Sequence, residues 1–148
     1  MRMILMAILN YTTTISSEKT AMEIQKKLAA AGAQAILCEY DDNQTLSCIS
    51  FRAETPAGML TFRLPAQLDG VMRAMVGDPN VPKRLKNREQ ASRVAWRILK
   101  DWIEAQIAII EAGMAELAQT FLPYAQDNTG KTVYELVSQS GFKSLRGS

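Results

Sequence analysis

The stretch from Asn87 to Phe121, NREQASRVAWRILKDWIEAQIAIIEAGMAELAQTF, limits what this chain can become more than any other. Its apolar residues fall in two adjacent rows. One is Ala91, Ala95, Ile98, Trp102, Ala105, Ile109 and Ala112; the other is Val94, Leu99, Ile103, Ile110, Met114 and Leu117. Steps of three and four place such rows on one wide helical stripe. Asn87, with Gln90 three places on, supplies an N-terminal cap, and Pro123 enforces a stop. Gly113 is the interior weakness, costing about 1 kcal/mol against Ala, and close packing of another backbone would explain it. One uninterrupted helix over 87–121 is predicted.

Such a helix would be about 52 Å long. A compact chain of 148 residues has a diameter of about 40 Å. The helix is therefore predicted to overhang its own globule, and an overhanging apolar stripe calls for cover. Self-association to a homodimer follows as an expectation, with Ile98, Trp102, Ile109, Gly113 and Leu117 at the interface. Charge points the same way. Residues 83–100 carry seven cations and one acid, whereas 101–127 carry five acids and no cation. That layout opposes the helix macrodipole, but two antiparallel copies would set each basic half against an acidic one.

The remainder reads as an α+β fold. The apolar run Met3–Tyr11 is predicted to be a central strand. Ser16 or Ser17 caps a helix whose buried stripe is Ala21, Ile24, Leu28 and Ala31 and whose end is Gly32; Lys19, Glu23, Lys26 and Lys27 form its solvated face. Strands follow over Ala35–Tyr40, Thr45–Glu54 and Met59–Leu64, the last two joined by a turn at Thr55-Pro56-Ala57-Gly58. Pro65 opens a short helix with the stripe Leu68, Val71, Met72 and Met75. After the long helix, Asp127–Gly130 turns the chain, and Thr132 with Glu135 caps a last short helix. The prediction is a β-α-β-β-β sheet layer with one packed helix, then a short helix, the long amphipathic helix and a short C-terminal helix. A single domain over 1–148 is expected, with a sheet part at 1–64, a helical part at 65–122 and a C-terminal part at 123–148.

Composition bears on function mainly by exclusion. The chain has no histidine, so the commonest general base and metal ligand is missing. Two cysteines do not make a disulfide framework and suit a reducing compartment. A hairpin centred near Asn43 would set Cys38 and Cys48 opposite each other, as buried free thiols or else as a redox pair or disulfide. The opening MRMILMAILNY is too short for a secretory signal, no run is long enough to span a membrane, and a cytoplasmic setting is expected. Thr129-Gly130-Lys131-Thr132 has the ending of a phosphate-binding loop, but the required earlier glycine is replaced by Ala125. Asp41 and Asp42 fit a hairpin turn better than a carboxylate pair. No catalytic residue, cofactor or metal site is predicted, and the chain is read as non-enzymatic.

The basic segment is the strongest functional signal. Lys83, Arg84, Lys86, Arg88, Arg93, Arg97 and Lys100 give residues 83–100 a charge of +6 in a chain whose net charge is +2. Cations gathered on one side, with Trp96 among them, can neutralise phosphates and stack a base. A solvated face, neutralised by Glu89, Asp101 and Glu104 at four-residue spacing, accounts for the same residues. Trp96 is expected at the edge of the apolar stripe rather than held out for stacking.

The long-helix stretch SRVAWRILKDWIEAQIAIIEAGMAELAQTFLPYA, about a quarter of the chain, resembles small uncharacterised proteins encoded by bacteriophages and prophages. The resemblance implies a viral setting inside a bacterium, where small non-enzymatic proteins act on nucleic acid or on host proteins. DNA or RNA is thus the first expected partner. The alternative is a protein-interaction module that binds or inhibits a host protein through the helix stripe or a sheet edge.

Overall fold

The computed structural model describes residues 7–147. Helix α1 (Ser17–Ala30) is followed by strands β1 (Ala35–Tyr40), β2 (Leu46–Thr55) and β3 (Gly58–Pro65), then helices α2 (Leu68–Val76), α3 (Arg88–Glu111), α4 (Leu117–Phe121) and α5 (Val133–Gln139). The strands form one antiparallel sheet in the order β1-β2-β3. The α+β class stands.

The predicted first strand does not form over its described part. Residues 7–8 are irregular and 9–12 are turns, while residues 3–6 lie outside the described residues. Ile8 and Tyr11 pack instead against the cluster of Met75, Val81, Ala91 and Val94, between α2 and α3. Over residues 7–11 the run is thus satisfied by helix packing rather than by a sheet. Pro65 ends β3 opposite Cys48, and α2 starts three residues later. A proline lacks the N–H that an interior strand needs and is tolerated at a strand end.

The long helix is shorter than the periodicity implied. Helix α3 ends at Glu111 after 24 residues, a length of about 36 Å that fits within the globule. Gly113 takes φ +72°. Its N–H donates to the Ile110 carbonyl and that of Met114 to the Ile109 carbonyl, each at 3.0 Å. These are the paired bonds of a Schellman stop, which needs a left-handed residue after the cap. Gly113 therefore terminates the helix. Apolar periodicity continues past the stop because the chain doubles back: Glu116 and Gln119 make a capping box for α4, which delivers Phe121 to the core. The Phe121 ring packs edge-on against Phe51 at 5.4 Å and against Trp102 at 5.7 Å. Behind it the Gln126 N–H donates to the Thr61 carbonyl at 2.9 Å, covering the outer edge of β3.

Helix α3 is buried on two flanks. Trp96, Leu99, Ile103 and Ile107 face the sheet with Ile49, Phe51, Phe62 and Leu64, while Ala91, Val94 and Ile98 face α2. Trp96 is 1% exposed, and its Nε1–H donates to the Leu46 carbonyl at 3.3 Å. Helix α1 lies beside α3 and parallel to it, since Ser17 meets Ser92 while Glu23, further along, meets Arg97.

The sign of one substitution separates the two descriptions of Gly113. In a helix interior, Gly113→Ala would stabilise by about 1 kcal/mol. At a left-handed stop the added Cβ costs about 1 kcal/mol. Chemical denaturation of the variant is expected to show destabilisation.

Candidate nucleic-acid interface

The seven predicted cations do not form one surface. Lys83 and Arg84 occupy a single 3-10 turn (Lys83–Leu85) just before α3, and both are exposed. Neither has an ion-pair partner among the described residues. Lys86 donates its Nζ to the Val76 carbonyl at the end of α2, at 3.3 Å. Arg88 meets Asp69 at 3.3 Å, with both side chains more than half exposed. Such a contact is worth little in water and leaves Arg88 free to exchange partners. Arg93 is tied to Glu89 at 2.7 Å and to the Gln90 side-chain oxygen at 3.0 Å.

Arg97 and Lys100 serve a different purpose. Arg97 donates to Glu23 at 2.9 Å and to the Thr20 hydroxyl at 3.4 Å; Lys100 lies 3.6 Å from Glu23 and is also paired with Glu104. Their side chains are only 16% and 14% exposed. The two cations pin α1 to α3 across a seam whose other polar contact is the buried Ser17–Ser92 bond of 2.7 Å. Glu23, expected on a solvated face, is the acid at the centre of this seam. Local spacing could not reveal it, because the ion pair spans 74 residues. Asp101, the expected helical partner of Arg97, accepts instead from Asn10 at 2.8 Å.

Burial works against ionisation of Glu23, but the hydrogen bonds and charges of Arg97 and Lys100 outweigh it and hold its carboxyl below the ordinary 4.5. The hydrogen bond from Lys100 likewise lowers Glu104. A depressed folded-state value contributes stability above the unfolded value and loses it as pH falls through the folded one. Glu23→Gln is therefore expected to cost about 1 kcal/mol at neutral pH. Denaturation at stepped pH should show that difference narrowing below 4.5 and vanishing once the wild-type carboxyl is protonated.

Other candidates resolve into structure. Gln90, only 4% exposed, donates its amide to the Tyr11 and Thr13 carbonyls and so ties the N-terminal segment to α3. Its place beside the helix cap had suggested capping alone. Asp41 closes its turn by accepting from the Asn43 and Thr45 N–H groups at 2.9 and 3.0 Å. Asp127 does the same for Thr129 and Lys131, Gly130 takes φ +86°, and Thr132 with Glu135 forms a capping box. The apparent loop-ending motif is thus a turn and a helix cap. Among the described residues no group of three His, Cys, Asp or Glu is placed to hold a metal.

The cysteines are one register step from facing each other. Cys38 pairs with Ile49, and Cys48 with Glu39, so their side chains fall on opposite faces of the sheet. Gln25 donates to the Cys38 sulfur at 3.2 Å, whereas the Cys48 sulfur lies 3.7 Å from the Ser50 hydroxyl. Burial pushes both thiols up, which keeps them protonated and poorly nucleophilic. The two are free thiols, as the first of the expected readings had it, though not opposite each other and with only Cys48 fully buried.

The residues expected at a dimer interface are largely occupied within the subunit. Ile98 belongs to the α2 cluster, Leu117 packs on the sheet core, and Trp102 stacks edge-on with Phe121 and Tyr124. Ile109 is half-buried and Gly113 lies exposed at the helix stop. With α3 inside the globule, its length no longer demands a second copy. No described helix is long and apolar enough to cross a membrane. In comparisons with family models, curated proteins and solved structures, the chain matches none.

Proposed function

We propose that the chain is a non-enzymatic accessory protein that binds nucleic acid, with little sequence preference, through the cationic end of α3. The observation that carries this reading is the exposure of Lys83 and Arg84 without acidic partners among the described residues, directly ahead of the α3 N-terminus. Arg88 lies on the first turn of α3 and Lys86 just before its cap, so four cations gather where the helix dipole is positive. Phosphates are the matching chemistry, since cations and helix N-terminal amides both favour oxyanions. Arg93 sits at the margin, bound to Glu89; Arg97 and Lys100 belong to the α1–α3 seam and play no part. Base stacking on Trp96 is ruled out by its burial, which leaves backbone contacts and hence weak base readout. The likeness of the α3 region to small phage-encoded proteins agrees with such a role inside a bacterial cell.

Fluorescence anisotropy with short DNA duplexes across a salt series tests the reading. With about four phosphates neutralised, log K is expected to fall against log salt with a slope of about −3.6. Arg84→Ala should weaken binding evenly across sequences and flatten that slope by about 1. Absence of binding at low salt to duplex DNA, single-stranded DNA and RNA would overturn it.

A further inference from the structure

We propose that two copies of this chain join edge to edge through β1, continuing the three-stranded sheet across a molecular two-fold axis. The two edges of the sheet are treated differently. The Ala125–Gln126 segment lies along β3, but no described strand pairs with the outer side of β1. The β1 sequence AILCEY contains neither Lys nor Pro, the residues that usually protect a free edge from pairing. Its register against β2 is regular from Ala35 to Glu39 and shifts between Glu39 and Tyr40. The regular part is therefore centred on Leu37.

That centre makes the edge self-complementary. An antiparallel copy paired about Leu37 sets Leu37 against its equivalent on the axis and Ala35 against Glu39 of the second copy, the latter contact occurring twice by symmetry. Leu37 is 58% exposed in the single chain, and pairing would cover it. Ala35, Leu37 and Glu39 share the face turned away from the helices, because Ile36 and Cys38 pack on the helix-side core. On that same face Arg52 is the β2 partner of Ala35. It is exposed and has no ion pair among the described residues. The methyl group of Ala35 is too short to screen it, so Arg52 can reach across to Glu39 of the second copy. Among the described residues the Glu39 carboxylate meets only Arg63, at 3.4 Å and with 40% of its side chain exposed, which leaves an oxygen for a second cation. A shallow depression of about 450 Å³, bordered by Leu37, Ser50, Arg52 and Arg63, lies beside the edge to accept the incoming side chains.

The proposal is independent of nucleic-acid binding, and sedimentation analysis over a concentration series tests it without any ligand. The wild-type chain should be a dimer at micromolar concentrations and above. Arg52→Glu and Glu39→Arg each place like charges across the axis and should each weaken the dimer by about ten-fold or more. An equimolar mixture of the two variants restores opposite charges at both positions and should recover the dimer, a result that damage to folding cannot produce. Leu37→Lys, with its helical circular dichroism retained, should be monomeric. A wild-type monomer overturns the proposal, as does a dimer that survives Leu37→Lys or a mixture no more associated than its components.

Discussion

The burial of α3 between the sheet and α2 governs the rest of the molecule. A helix contacted on one side leaves its opposite face for solvent or a partner. This one carries Trp96, Leu99 and Ile103 into the sheet and Ala91 and Val94 into α2, so the polar residues between those flanks occupy narrow seams. Along one seam Ser92, Arg97 and Lys100 meet Ser17, Thr20 and Glu23 of α1. At the helix start Gln90 reaches back to hold the N-terminal segment. The same burial divides a run of cations that looks continuous in sequence. Those beside α1 become structural, and those ahead of the first turn stay in water.

The stop at Gly113 is what makes this arrangement self-contained. A helix continuing to Phe121 would carry that ring out past the sheet. The reversal at the glycine brings Phe121 back against Phe51 and Phe62, and then lays Ala125 and Gln126 on the edge of β3. One left-handed residue thus completes the aromatic core and closes one side of the sheet. No described strand covers the other side, at β1.

Much of the architecture was legible in residues that act locally. Ser16, Asn87 and Thr132 cap the helices they were expected to cap, because a side chain accepting an N–H three places on needs nothing from elsewhere. The strands β1 to β3 and the turn between the last two were readable from alternation and from Pro56 and Gly58. What escaped depended on distant partners or on left-handed backbone. Gly113 reads alike as an interior flaw and as a stop until the following backbone is seen. Ile8 and Tyr11 are apolar whether a sheet or a helix pair consumes them. The one-step offset of the cysteines reflects the strand shift at Glu39 and Tyr40, which no hairpin signal announces. Glu23 looked solvated because both its cations, Arg97 and Lys100, come from a helix distant in sequence, the nearer of them 74 residues away.

The central claim is that burial splits the basic segment into a binding end and a structural seam. Backbone and side-chain resonances followed by NMR while a short DNA duplex is added test it most directly. The account predicts shifts at Lys83, Arg84, Lys86 and Arg88, with Arg97, Lys100 and Glu23 unmoved. Shifts spread along the whole face through Lys100, with the Glu23 contacts released, would contradict it.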